Sequence, residues 1–385
     1  MLRFSAYALF IVPINPLRCM GLIGFGTLRG IVQSQFFYNK KTNKKDIKMA
    51  ILERLKKMQK TQGKNRLIMI LDGMGVAIVK KLLDKDGFFA RHLTDVETAI
   101  IPATTVAATT AYRTGKMPWE TGFVGWSQYF EETDEVIEVF LNKNYYTGEV
   151  SKMPMHTNTL PFKTSVEQMN TDGRRAFEIM PAFVPGGAET FDDWLKQIVA
   201  TGNRETDAYI YAYWTEPDAA LHEFGEDSDN VKTLLRDMEQ KVEQALGQIV
   251  NKTEVLITAD HGHKLVKPLF LTDFPDVEQS LLHPISIEAR AASLFVKPSM
   301  LAEFPDMFNK HFGKWFKLVT KQEFERDYLH AQKPVRFIGD FMALATADYG
   351  LHQNRDVKYY ISNHAGITKE ELEIPIIQYL VNKSR

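Results

Sequence analysis

Pro102-Ala-Thr-Thr105 opens a run of small hydroxyl and alanine residues that ends at Gly115. Proline fixes its own φ and bars helix from the residue before it, so Thr104 or Thr105 can take the N-cap and Ala107 to Ala111 can follow as a closely packed helix. Free N–H groups and the positive end of the dipole at such a helix start suit an oxyanion, the setting for a threonine that attacks phosphorus. Four other stretches carry acid or imidazole: Asp72-Gly-Met-Gly, Asp218 with His222, Asp260-His261-Gly262-His263, and His364 in Asn363-His364-Ala-Gly366. Singly, each reads as a turn, a cap or a surface histidine. Jointly, Asp72, Asp218 and Asp260 with His222, His261 and His364 would repel one another or stay unsatisfied on one edge unless they bound cations. Oxygen and nitrogen donors without thiolate fit two zinc ions, with manganese as the competitor. Two metals about 3.5–4 Å apart can clamp the attacking and leaving oxygens of a displacement at phosphorus, and one of them can lower the pKa of a threonine hydroxyl.

The elements that must bring these residues together are those of an α/β fold. Arg66 to Leu71 is a short apolar run, the pattern of a strand buried on both faces, followed by an acid, a glycine turn and a helical period from Val76 to Leu83. Further strands are expected over Val96 to Ile101, Asp207 to Trp214, Thr253 to Ala259 and Ala291 to Val296. Ser228 to Val250 predicts a long amphipathic helix, with shorter ones over Ala188 to Ala200 and Leu301 to Phe312. Phe341 to Ala347 predicts a helix, and so does Lys369 to Leu372 onward, with Pro375 interrupting it. In a doubly wound sheet the acidic strand ends share one edge, where ligands gather. Residues 127–190 read as a cap inserted over that edge, within a single catalytic domain spanning 61–385.

The 385 residues, 44% hydrophobic and 25% charged, match an ordinary globular enzyme. A net charge of −1 argues for neither a nucleic-acid polymer nor an anionic membrane. The lone Cys19 excludes a disulfide framework. Residues 1–60 read as an N-terminal extension, with Ile51 to Met58 an amphipathic helix opened by Met49. Within it, Phe4 to Ile14 is apolar and 40–45 basic, open to three readings: a segment without function, an export signal, or a short anchor. The expected compartment is the cytoplasm unless residues 1–30 act as a signal, the only route by which a membrane contact enters.

From about Arg66 to the C-terminus the ordered motifs Leu-Asp72-Gly-Met-Gly, Pro102-Ala-Thr-Thr105, Pro217-Asp218-Ala-Ala-Leu-His222, Thr-Ala-Asp260-His261-Gly262 and Asn363-His364-Ala-Gly366 resemble the alkaline phosphatase superfamily, and within it the type I phosphodiesterase/nucleotide pyrophosphatase group. The resemblance implies an alkaline phosphatase-like α/β fold with a central, mostly parallel sheet flanked by helices. It implies Thr105 as nucleophile, with Asp72, Thr105, Asp260 and His261 on one metal and Asp218, His222 and His364 on the other. Val106 and Ala108 stand where many animal members carry a stacking phenylalanine and an oxyanion-binding asparagine. Phe123, Trp126 and Tyr129 are the candidates for a replacement substrate surface. The activity implied is hydrolysis of phosphodiester or phosphoanhydride bonds in a small, nucleotide-like substrate through a phospho-threonine. The alternatives are a phosphomonoesterase, a phosphotransferase similar to cofactor-independent phosphoglycerate mutase, against which stand a short insert and Arg174 and Arg175 as the only adjacent arginines for a basic cradle, and a retired binding protein.

Overall fold

Seven consecutive buried residues, Asn65–Leu71, form β1 of a computed structural model that describes residues 50–153 and 162–382. An unbroken apolar run with no polar face belongs in the middle of a sheet covered on both sides. There β1 lies between β7 (Tyr209–Trp214) and β8 (Thr253–Thr258), parallel to both, with Leu71 level with Trp214 and Ile70 level with Thr258. β6 (Ala176–Ile179) continues the parallel set beyond β7. On the other side β17 (Glu373–Val381) runs antiparallel to β8, and β2 (Leu93–Thr98) closes the sheet in the order β2-β17-β8-β1-β7-β6.

A second sheet is antiparallel throughout, in the order β13-β14-β12-β11-β3-β4-β5. Its strands are β3 (Ser127–Phe130), β4 (Glu135–Glu138), β5 (Lys143–Asn144), β11 (Ser286–Glu288), β12 (Ala291–Leu294), β13 (Phe316–Thr320) and β14 (Phe341–Ala345). Two small pairings, β9 (Lys264–Leu265) with β16 (Ser362–Asn363) and β10 (Lys267–Phe270) with β15 (Tyr349–His352), tie the loops after β8 to the C-terminal region.

One sequence expectation fails here, and a second holds only for its first turn. Phe341–Ala345 is strand, not helix. Met342 and Leu344 pack into one core while Phe341, Ala343 and Ala345 pack into another, so covering both faces erased the alternation that marks a strand. The expected helix forms over Lys369–Leu372 but does not continue, because Glu373–Val381, with Pro375 inside it, is strand β17. Proline is tolerated because β17 pairs only with β2 over Glu373–Ile376, and β8 joins from Ile377.

Segment 127–190, the inserted region, divides its elements between the two sheets. β3 to β5 join the second sheet, whereas the helix Ser165–Thr171 and β6 go to the first. The helix Ala50–Lys60, on the extension side of the boundary at 60, buries Ile51, Leu52, Leu55 and Met58 in the main core. The other N-terminal readings, on residues 1–49, lie outside the described residues. Among the described residues no helix is long and apolar enough to cross a membrane.

Candidate metal centre

Parallel strands all end at the same edge, and β1, β7 and β8 end nearly level. Asp72 follows β1 directly, the helix Asp218–Phe224 follows β7, and Asp260-His261 follows β8. Gly75 and Gly262 let these loops close on one another: a Cβ built on Gly75 would lie 2.5 Å from the Gly262 Cα, and one on Gly262 would lie 2.0 Å from the Glu370 carbonyl oxygen. The helix Thr105–Thr114 brings its first residue to the same edge, and the loop after β16 brings His364.

Two clusters result. In one, Thr105 Oγ1 lies 3.2 Å from His261 Nε2 and 3.4 Å from both Asp72 oxygens. His261 Nε2 is 3.3 Å from Asp72 Oδ1 and 3.5 Å from Asp260 Oδ2. In the other, Asp218 lies 3.5 Å from His222 Nε2, 2.7 Å from His263 Nε2 and 3.8 Å from His364 Nε2. Donor atoms of Asp218, His222, His263 and His364 all lie within 4.8 Å of one another, as do those of Asp72, Asp218 and His261.

The imidazoles are oriented from behind. His222, His261 and His364 donate Nδ1–H to the carbonyls of Ser362, Gly262 and Ala103 at 2.9, 3.1 and 3.1 Å, which fixes the tautomer and turns the Nε2 lone pairs inward. His263 stands differently, with Nδ1 2.8 Å from Ser362 Oγ and Nε2 on Asp218 Oδ1.

Burial, reinforced by the Asp260 and Asp218 carboxylates, pushes Asp72 well above the usual carboxylate range, although Tyr213 donates a hydrogen bond to it. Burial alone would raise Asp218 too, but the imidazoles of His222, His263 and His364 hold it well below that range. Burial lowers His364 well below an ordinary imidazole and takes His263 down to about 4, so both are neutral near pH 7. Neutral imidazole is the metal-binding form. Asp260 gives Oδ1 to the amides of Gly73 and His261, while its Oδ2 is fully buried with no hydrogen-bond partner. Such an orphaned carboxylate oxygen is costly unless a cation satisfies it. Carboxylates, imidazoles and a hydroxyl, with no thiol, are the donor set of zinc or manganese, and the residues present fit such ions.

Asp72, Thr105, Asp218, His222, Asp260, His261 and His364 thus lie together. The structure adds His263, Tyr213 and Glu288. A second imidazole two residues beyond His261 was visible in Asp260-His261-Gly262-His263, whereas nothing in the sequence marked Tyr213 or Glu288. Glu288 Oε1 accepts from Thr104 Oγ1 at 2.5 Å and from the Trp126 amide at 3.0 Å, and burial raises its carboxyl to about 7.

The expected substrate surface divides. Phe123 is only 1% exposed, packed against Phe140 and Phe162, and offers no face to a ligand. That corrects its assignment, since its bulk was needed to fill the core beneath the second sheet. Tyr129 stacks on His283 and donates to Asp134. Trp126 is half-buried, with Nε1 on Glu138, and alone of the three is linked to the site, through Glu288. Arg174 and Arg175 lie before β6, at the opposite edge of the sheet, where Arg174 donates to the Gln59 carbonyl and Arg175 pairs with Glu205. They form no cradle for a transferred phosphate.

Comparison with known proteins agrees with this geometry. The family model described as type I phosphodiesterase/nucleotide pyrophosphatase matches residues 67–368. No curated protein matches by sequence. Among solved structures, murine ectonucleotide pyrophosphatase/phosphodiesterase 5 superposes with a TM-score of 0.64 at 15% identity, covering 80% of this chain and 87% of its own. Its human counterpart gives 0.62 at 15% identity, covering 81% and 87%. Phosphonoacetate hydrolase from Sinorhizobium meliloti, in complex with phosphonoformate, gives 0.60 at 13% identity, covering 82% and 90%. At these identities the likeness is one of fold.

Proposed function

This chain belongs to the type I phosphodiesterase/nucleotide pyrophosphatase family and is a metal-dependent hydrolase of phosphoester or phosphoanhydride bonds; we propose that it breaks them through a covalent phospho-threonine on Thr105. The observation that carries the reading is the position of Thr105 Oγ1, at a helix N-terminus and within 3.4 Å of Asp72 and His261. Asp72, Thr105, Asp260 and His261 would hold one zinc ion, and Asp218, His222 and His364 the other. Bound there, the ions would supply Lewis acidity to the threonine hydroxyl and to the phosphoryl and leaving oxygens.

The rest is done by the chain. Thr105 Oγ1 gives up its proton and forms a bond to phosphorus as the bond to the leaving oxygen breaks on the far side, and the leaving group takes up a proton from solvent. Water then adds to the same phosphorus, the Oγ1–P bond breaks, and threonine recovers its proton. Helix amides at 105–107 face the phosphoryl oxygens in place of the asparagine amide that Ala108 lacks. A small nucleotide-like diester or anhydride is the substrate class, in keeping with an inactive variant of the murine protein in complex with AMP. The test is turnover by the zinc-loaded chain of a nitrophenyl nucleotide diester, a nucleoside triphosphate and nitrophenyl phosphate. The expected order places diester and triphosphate well above the monoester. Preference for the monoester would overturn the substrate class, and no phosphothreonine on rapid acid quench would overturn the covalent route.

A further inference from the structure

Thr104 is the N-cap residue of the nucleophile helix, with extended backbone at φ −134° and ψ 148°, yet its hydroxyl makes no cap bond. This is unlike Thr164, Thr190, Ser228 and Thr320, whose hydroxyls accept from the second or third amide of their helices. A threonine N-cap is ordinarily satisfied in that way. Here Thr104, fully buried, donates to Glu288 Oε1 at 2.5 Å. Glu288 is held in place from the stretch before β3 and from its own strand. It is fixed by the Trp126 amide at 3.0 Å and follows Ile287, whose φ of 77° lies in the left-handed region that a β-branched residue rarely enters. Gly125 makes room for that backbone: a Cβ built there would come within 2.6 Å of the Ile287 side chain. With Thr104 turned away, the amides of Thr105, Val106 and Ala107 have no acceptor among the described residues. A second mark that this point serves a ligand is Asp260 Oδ2, fully buried with no hydrogen-bond partner and only His261 Nε2 at 3.5 Å, in the cluster that contains Thr105.

We infer that Glu288 is a positioning residue that withdraws the Thr104 hydroxyl from the helix cap, so that the amides beside Thr105 stay free to hold phosphoryl oxygens in the transition state. This rests on the phosphoryl-transfer reading above. Without Glu288, Thr104 would turn to cap Val106 or Ala107, removing a donor aimed at developing charge. Loss of one such donor costs on the order of 10²–10³ in kcat, and a reversible cap costs less.

The experiment is a cycle on the zinc-loaded full chain with the nitrophenyl diester. Glu288→Met keeps volume but cannot accept, and kcat should fall about 10–100-fold with KM nearly unchanged. Glu288→Gln keeps an accepting oxygen and should stay within about threefold of the parent chain. The decisive variant is Glu288→Met with Thr104→Val, which leaves no hydroxyl to cap and should return to the rate of Thr104→Val alone. A merely structural Glu288 would give a double variant as slow as Glu288→Met, and that result overturns the inference. So does full activity in Glu288→Met, or a Gln variant as slow as the Met variant. Should Glu288→Met fail to fold, Thr104→Asn installs a strong cap with Glu288 intact. It should slow turnover at unchanged or raised Tm, and undiminished turnover overturns the inference. An unmodified chain inactive on every substrate, despite two bound zinc ions, overturns both this and the phosphoryl-transfer reading, whereas an active chain indifferent to Glu288 overturns this alone.

Discussion

In the six-stranded sheet β1, β7 and β8 run side by side in one direction, so three acidic segments emerge together at one edge. In the seven-stranded sheet every neighbour is reversed, so successive strand ends alternate between edges; its core takes in Val106 of the nucleophile helix, and the β11 end at Glu288, held by the Trp126 amide, hydrogen-bonds Thr104. The first arrangement concentrates carboxylates and imidazoles, a donor set that cations would satisfy. The second supplies packing, with Phe123, Phe130 and Phe337 inside, and a single carboxyl toward the helix. In the proposed reading, metal ligation falls mainly to the ends of the parallel strands, joined by His364 from the loop after β16, and positioning falls to Glu288 of the antiparallel sheet. The sheets are joined by Arg290, after β11, and Glu371, before β17, which form a fully buried ion pair at 2.5 and 2.7 Å.

Substitutions on the two sides of this division should fail in different ways. The largest effect is expected at the parallel edge itself: Thr105→Ala should keep fold and zinc but lose on the order of 10³-fold or more in turnover, while Thr105→Ser retains part of it. Matched zinc content and rates on the nitrophenyl diester check this, and undiminished turnover in the alanine variant would mean that no phospho-threonine forms. Next, His364→Ala should leave one site empty or weakened, read as zinc per chain after dialysis against a chelator, with activity falling in step. Two tightly held zinc ions in that variant would remove His364 from the ligand set.

Breaking the joint comes third. Glu371→Gln leaves the Arg290 guanidinium buried without its counter-charge, at a cost of about 3–5 kcal/mol in unfolding free energy. Burial alone would raise Glu371, but Arg290 holds it below the ordinary range. Its contribution is therefore present above the unfolded-state pKa and lost as pH falls through the folded value. The Gln variant should show a flatter acid limb in denaturant titrations, and parallel curves would refute the account. Smallest in their effect on the chemistry are the aromatics of the second sheet. Phe123→Ala should cost about 3–5 kcal/mol of stability with the chemistry intact in the molecules that remain folded. Trp126→Ala should change KM by less than about tenfold and stability little. A reversal, with Phe123 governing KM and Trp126 governing Tm, would mean that the buried and half-buried roles are exchanged.

Much of this was legible from local chemistry. Apolar runs ending in Asp72 and Asp260, proline before Thr105, and the i, i+4 pair Asp218/His222 name strand ends, a helix start and one helix face without knowledge of the fold. Their joint excess of carboxylate and imidazole already demanded cations. Tertiary structure decided what local pattern could not. Phe341–Ala345 satisfies helix or strand equally until both its faces are covered, and Pro375, with no N–H to donate, ends a helix or sits in a strand according to whether a neighbouring strand needs an amide there. Phe123 and Trp126, three residues apart in one loop, separate into core and site only through packing. Glu288 reaches Thr104 from 184 residues away along the chain. A contact between an antiparallel strand and a helix cap has no periodicity in sequence, because it is fixed by the way two sheets meet.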